Sequence, residues 1–378
     1  MNRLPYTGIV FVCLNREKRS MNKACVENWF WFGDNSDLDC IVYCRLGLYR
    51  SIAGELFPHR CTNEDLEVIQ TRLLRSLSSI ESESQYIISP HGEVDCLSSV
   101  REVFDVSSIS TVQPGQAVIL GSKGFFATIN MNAHLYFSQM GPGTQKLETW
   151  KELIALDERL DRDLNWACTE AYGFLNPDPH HIGSGLECEA LLFLPGIMDS
   201  SMYERVMKGL LSQGFELSVY NGDDSQGEAA SPFVKLHYTV PPGMPEQEGI
   251  ERIKNALDGL ITGERATRDR LAQNISDEIA DSASRAFGVL SHARLLEKEE
   301  CRTYLSDVRK GLVYNCVHFE HQEGLLQHLD RLWFTTEALI RQNLELIEPH
   351  QITEKNIKSL RAKLVRSILS QYHIDRGI

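Results

Sequence analysis

No apolar run in the 378 residues approaches the roughly 18–20 that a membrane-spanning helix requires, so no such span is expected. Gly8–Leu14 is apolar but no small-residue cleavage site follows it, which argues against a signal peptide and for a cytoplasmic protein. Ten cysteines are present without a CxxC pair. Cys40 and Cys44 are the closest two, so reduced thiols are expected rather than a disulfide framework or a zinc centre. Positive charge is also scarce: 38 Lys and Arg stand against 52 Asp and Glu, a net charge of −14. That balance disfavours nucleic acid and anionic membranes as partners. The deficit is most pronounced between Arg205 and Arg252, where no arginine occurs. Internal repeats and low-complexity tracts are missing as well.

What is present has a globular composition, 42% hydrophobic and 24% charged, in a length that suits two domains. Asn63–Leu77 has helical spacing at Leu66, Ile69, Leu73 and Leu77, with Asn63 as N-cap. Ser78–Val112 is Ser-rich and reads as loop with short elements. Ala117–Leu120 and Phe125–Ile129 flank Gly-Ser-Lys-Gly and predict a hairpin. A helix is predicted over Lys146–Ala171, and a buried strand over Ala190–Leu194. Ser201–Glu204 reads as a capping box opening a helix that ends near Gly214. Phe215–Tyr220 and Phe233–Val240 alternate like paired strands around a polar loop, Asn221–Ser231. Pro241–Glu248 is the best candidate linker, and helical patterns follow at Leu271–Ala286, 297–311, 323–346 and 353–371, the last capped by Thr353. The expected architecture is α+β over 1–245 and all-α over 246–378.

The most informative stretch is 173–196, GFLNPDPHHIGSGLECEALLFLPG. It resembles the loop and strand of ATP:guanido phosphotransferases of the bacterial protein arginine kinase (McsB) type, where the pattern is L-T-x-C-P-T-N-I-G-T-G-L-R, an apolar run, then L-P-G. Pro179, Ile182, Gly183, Gly185, Leu186 and Leu194-Pro195-Gly196 keep that frame. The resemblance covers nearly the whole chain. Trp31, Gly33, Ser36, Asp37, Ile41, Val42 and Arg45 match the family's opening strand; Ile87-Ile88-Ser89-Pro90 matches L-I-S-P. Asn130–Phe137, Leu156-Asp157 through Gly173, Arg285–Leu290 and Leu305–Gly311 match later motifs in the correct order. It implies the guanido-kinase catalytic fold, an antiparallel sheet flanked by helices, followed by a helical dimerisation or docking domain. By the same resemblance ATP and Mg would be cofactors only if the protein is active. The partners implied are a second copy of the chain, a small zinc-binding activator of the McsA type and Clp protease machinery.

Phosphoryl transfer to a guanidinium rests on positioning and on cations that hold the triphosphate, with carboxylates to orient and deprotonate the acceptor. The family resemblance implies five phosphate-binding arginines and two such glutamates. Carried over residue by residue, one arginine remains, Arg45; the others fall on Gly47, Tyr136, Glu187 and the arginine-free 221–231 region. One glutamate falls on Asn132, and the second survives only if Glu228 is aligned there. The family's loop cysteine falls on Asp178, beside Ser184. Of the phosphoarginine-docking pattern R-D-x-x-R-A, only Arg361-Ala362 remain. Each lost charge-assisted contact costs about 1.5–3 kcal/mol.

The expectation is therefore a catalytically impaired pseudokinase that serves as a protein-binding scaffold or regulator linked to Clp-type stress and proteolysis machinery. A second reading is a divergent but active arginine kinase, with Lys123, Lys208 or Lys235 rebuilding phosphate contacts and Glu228 as base. A third is a cation or small-ligand module using Asp178, Glu187 and Asp223–Asp224. Asp178, His180 and His181 read as a polar loop rather than metal ligands, because no second ligand pair accompanies them. The same holds for Cys301, Cys316, His318 and His321. Neither Cys168 nor Cys301 sits in a nucleophile motif. Arg50 fits a structural ion pair as well as a nucleotide role, and the basic end of the chain reads as a solvated helix face.

Overall fold

Ile41–Arg50 (β1) is buried at every position because it runs through the middle of a large sheet. The computed structural model describes residues 36–80, 86–88, 112–121, 124–220, 232–334, 340 and 356–375. The other strands are Tyr86–Ile88 (β2), Ala117–Leu120 (β3), Phe125–Ile129 (β4), Leu135–Pro142 (β5), Leu186–Phe193 (β8), Glu216–Val219 (β9) and Phe233–Thr239 (β10). Cys168–Thr169 (β6) and Gly173–Phe174 (β7) form a separate small hairpin. Among the described residues the main sheet has the order β2-β3-β4-β5-β1-β8-β10-β9, with antiparallel pairings throughout.

Strand alternation sends β1 side chains to two different cores. Cys44, Leu46 and Leu48 join Ala190 and Leu236 on one face. Helices cover that face: Asn63–Ile80 (α1), Trp150–Leu164 (α3, after the short α2 at Gln145–Glu148) and Tyr203–Leu211 (α5, after the short α4 at Pro195–Met198). Each fully buried Leu or Ile there contributes about 1.5–3 kcal/mol. Tyr43, Leu191, Phe193 and Phe233 join a second core on the other face, with side chains from the helical tail. The tail comprises Glu246–His292 (α6), Lys298–Val313 (α7), Leu325–Trp333 (α8) and Ile357–Leu369 (α9).

Helix α6 serves both cores. Its early residues Ile250, Ile253 and Leu257 pack on the helix-covered face; its late residues Ala283, Phe287 and Leu290 pack within the tail. Between them Ile275 leaves helical geometry (φ −129°, ψ 19°), so the expected uninterrupted periodicity through Ile275 bends there. Arg265 and Arg268 of α6 both grip Asp39, just ahead of β1. Glu264 accepts the backbone N–H groups of Gly196 and Ile197 at 2.8 Å, satisfying the free donors that open α4. Arg309 of α7 pairs with Asp330 of α8 and donates to the Leu38 carbonyl. The tail is thus bolted to the start of the central strand.

Several sequence expectations need correction. The helix expected over Lys146–Ala171 ends at Leu164, because Asn165 adopts φ +59° and the Asp161 carboxylate takes the Trp166 N–H at 2.7 Å. The capping box at Ser201 does not form: α5 starts at Tyr203 without a side-chain cap, and Ser200 Oγ accepts the Met202 N–H instead. The tail is not purely helical, since Phe319–Glu320 (β11) pairs with His373–Ile374 (β12) and ties down the chain end. Thr353, Lys123, Glu228 and Asp223–Asp224 lie outside the described residues.

Candidate functional site

Register places Arg45 opposite one acid, with a second acid two positions away on the same strand. Across β1 and β8, Arg45 faces Glu189 and Gly47 faces Glu187; across β8 and β10, Glu189 faces His237. On the other side of β1, Tyr49 faces Tyr136 of β5. All of these share the sheet face away from α1 and α3.

Arg45 Nη2 donates to Glu189 Oε2 at 2.9 Å, and Tyr43 Oη donates to Glu189 Oε1 at 2.9 Å. Both carboxylate oxygens are therefore engaged. Arg45 and Glu189 are 7% and 5% exposed, which makes this a dry ion pair. Burial works against the Arg45 charge, but Glu189 and its neighbours hold the guanidinium pKa well above its usual value.

Glu187 takes a hydrogen bond from His237 Nε2 at 3.3 Å, and His181 Nε2 lies 3.8 Å away. Burial raises the Glu187 carboxyl, yet the His237 bond and the Arg45 charge outweigh it and bring it to about 2. Burial opposes protonation of His237, but its bond to Glu187 raises its pKa overall. His181 moves the other way: burial lowers it more than Glu187 and Asp178 restore it.

Gly47 and Tyr136 fit each other. A Cβ on Gly47 would come 2.4 Å from Tyr136 Oη, so the phenol occupies the room above the glycine. The Tyr136 ring lies 4.6 Å from Tyr49, which stacks on His181 at 3.7 Å. Two positions where the resemblance places arginines are thus filled by one ring, continued by a stack of two more.

The loop that carries His181 is firmly built. Phe174 and Gly183 exchange backbone bonds at 2.8 and 3.0 Å, with Gly183 at φ +103° and Gly185 at φ +63°. Arg50 holds it from beneath, donating to the Ser184 and Tyr49 carbonyls at 2.8 Å and making a forked pair with Asp157. Its guanidinium lies 3.6 Å from the Phe174 ring centre. Arg50 is a structural residue and points away from the Arg45 face.

The other sequence candidates scatter. Ser184 is buried in the loop, where its Oγ accepts the Leu186 N–H. Asp178 caps the 3-10 turn Pro179–His181 through the His180 N–H at 2.9 Å and is partly exposed. Asn132 is exposed on the turn between β4 and β5. Lys208 is exposed and paired with Glu204; Lys235 lies over the Tyr220 ring at 4.5 Å. Arg361 sits in the tail, donating to the Leu296 carbonyl at 2.8 Å. Its neighbours Lys358 and Arg366 bind Glu297 and the Ala293 carbonyl, so these cations of the basic chain end clamp the loop between α6 and α7. Among the described residues no three His, Cys, Asp or Glu side chains gather to hold a metal. No described helix is long and apolar enough to cross a membrane.

Sequence reasoning missed Glu189, Tyr43, Tyr49 and His237. One signal was available: Glu187 and Glu189 at alternate positions in an otherwise apolar strand place two acids on one face. The residues here form no cradle for ATP and Mg: Arg45, the arginine that the resemblance assigns to phosphate, already holds a carboxylate, and Tyr136 fills the space above Gly47.

Comparison with known proteins adds independent information. Residues 63–267 match the family described as ATP:guanido phosphotransferase, C-terminal catalytic domain. Residues 276–376 match the protein-arginine kinase McsB C-terminal domain. The protein-arginine kinase of Caldanaerobacter subterraneus subsp. tengcongensis is 25% identical over 343 residues, covering 89% of this chain and 98% of that protein. That of Clostridium novyi is 22% identical, covering 90% and 98%. Among solved structures, a lombricine kinase superposes with a TM-score of 0.51 at 16% identity, covering 62% of this chain and 69% of that one. The duplicated taurocyamine kinase of Schistosoma mansoni gives 0.53 at 15% identity, covering 83% and 49%. These structural likenesses speak to fold alone.

Proposed function

The chain belongs to the ATP:guanido phosphotransferase family, in its protein-arginine-kinase branch, and from that premise we propose that it is a catalytically impaired pseudokinase acting as a protein-binding scaffold. The observation that carries this reading is the Arg45–Glu189 pair. In a nucleotide site an unopposed arginine lends its charge to phosphate oxygens. Here that charge is spent internally, in a buried bond that an incoming phosphate would have to break. Glu187 adds a second anion beside it, ionised at all physiological pH. Triphosphate entering this face would meet two carboxylates and a tyrosine ring in place of a cationic cradle.

A retained fold with an emptied chemistry suits a role in recognition. We place the partner surfaces on the helical tail, with a second copy of the chain, a small McsA-type activator and Clp machinery as the partners to examine first. The protein's place in the cytoplasm belongs to the same proposal.

The deciding experiment is titration calorimetry of Mg-ATP, run with a protein-arginine phosphorylation assay on the same preparation. The expected result is no saturable nucleotide binding at millimolar concentration and no phosphoarginine above background. Turnover abolished by Glu228→Gln would replace this reading with that of a divergent active kinase.

A further inference from the structure

The helical tail reaches the Arg45 pair through a short chain of contacts. Phe334, immediately after α8, packs edge-on against Tyr43 with ring centres 6.4 Å apart. Both rings are at most 2% exposed. Tyr43 Oη then donates to Glu189 Oε1, and Glu189 Oε2 receives Arg45. Trp333 packs on Phe233 at 4.7 Å, and Arg309 lies 4.4 Å over Phe193 while it holds Asp330. The end of α8 is therefore seated on the same sheet face as Arg45.

This arrangement has a specific chemical sense. A carboxylate with one oxygen on Arg45 and the other on Tyr43 presents a fixed anionic oxygen to the guanidinium, as a phosphate oxygen would. Its orientation is not set by strands β1 and β8 alone, because the Tyr43 hydroxyl that fixes one oxygen sits on a ring packed against the tail. We propose that Glu189 is an internal anion that takes the place of phosphate on Arg45, and that the tail keeps it there through Phe334 and Tyr43. The contact is autoinhibitory in form. Lifting α8 from the sheet loosens Tyr43, frees Glu189 to turn, and exposes Arg45 to external phosphate-type anions. The proposal rests on the reading of the resting cleft as closed to nucleotide, and it adds the element that keeps it closed.

Two readouts test it on the full-length chain. The first is the rate at which phenylglyoxal modifies Arg45, followed by peptide mass spectrometry, with Arg50 as the internal control. Glu189→Gln should speed Arg45 modification about tenfold or more, the change expected from losing one charge-assisted hydrogen bond, and Phe334→Leu should speed it in the same direction by loosening Tyr43. Tyr43→Phe, which removes the hydroxyl that fixes Glu189, should speed it at least as much as Phe334→Leu, and Arg50 should stay unreactive throughout. The second readout is calorimetric binding of inorganic pyrophosphate: absent in the wild type, present in Glu189→Gln, and lost again in Glu189→Gln/Arg45→Met. Unchanged Arg45 reactivity in Glu189→Gln, or pyrophosphate binding that survives Arg45→Met, would overturn the internal-anion assignment. Increased reactivity in Glu189→Gln but not in Phe334→Leu would overturn the part given to the tail. Arg45-dependent pyrophosphate binding by the wild type would defeat both this inference and the closed-cleft reading. If Glu189→Gln fails to fold, Glu189→Met is read in its place, and Phe334→Met likewise stands in for Phe334→Leu.

Discussion

Arg45 and Arg50 stand on the same strand at an odd spacing, so they project from opposite faces of the sheet. Both are buried and both are paired with a carboxylate. Their surroundings differ in kind. Arg50 has Asp157, two carbonyls and the Phe174 ring, which together brace the loop that enters β8. Arg45 has Glu189 alongside Glu187, His237 and the Tyr136–Tyr49–His181 stack, groups that pair or stack with one another rather than brace backbone. One face keeps its architecture because the fold depends on it. The other face carries charged groups that satisfy one another and brace no backbone.

The largest break in that comparison should come from the bracing face. Arg50→Met leaves Asp157 buried without its guanidinium and releases the Ser184 carbonyl. We expect a loss of about 3–5 kcal/mol in urea unfolding, as for other broken buried pairs. Arg45→Met should cost less, and the double change Arg45→Met/Glu189→Leu less again than Arg45→Met alone, because apolar replacement of both partners removes the stranded charge. A double-mutant cycle on these residues checks the order.

Gly47→Ala should cost about 1–3 kcal/mol by overpacking against the Tyr136 phenol. In a Tyr136→Ser background the same change should be close to neutral, and a penalty of equal size in both backgrounds would show that the two residues are not complementary. Restoring Gly47→Arg alone should likewise destabilise, since its Cβ meets Tyr136 before any phosphate site is rebuilt.

The smallest effect is expected from pH. Glu187 has a folded pKa near 2, below its usual 4.5, so its stabilisation is present above 4.5 and is lost as pH falls toward 2. His237 is raised above 6.5, so its contribution is complete below 6.5 and fades as pH climbs through the raised value. Glu187→Gln should flatten both limbs, a difference of roughly 1–2 kcal/mol at its widest, measurable as melting temperature against pH. An unaltered profile would remove His237 and Glu187 as a coupled pair.

Much of the frame was legible beforehand. The strands at Ala117–Leu120 and Phe125–Ile129 were readable because β-rich runs on either side of a glycine-bounded turn have few alternatives, and they pair as a hairpin. The second half of β8 was readable from the unbroken apolar run that begins at Ala190, whereas its first half, interrupted by Glu187 and Glu189, was not. The helix end at Leu164 was not, since it depends on one Asn adopting a left-handed conformation and on the Asp161 side chain. Nor was the role of Arg50: a lone arginine in a strand gives no sign of which carboxylate, more than a hundred residues away, will meet it.

The sequence alone determined which charges this protein has, because that is a count: no arginine from 206 to 251, and two acids at alternate positions of one strand. Only the tertiary structure decided where the Arg45 charge goes. Arg45 and Glu189 meet through the register of β1 against β8, and Tyr43 meets Phe334 through the packing of a helix nearly three hundred residues further on. Strand alternation fixes which residues share a face, but the partner across that face follows from long-range pairing, which local pattern does not encode.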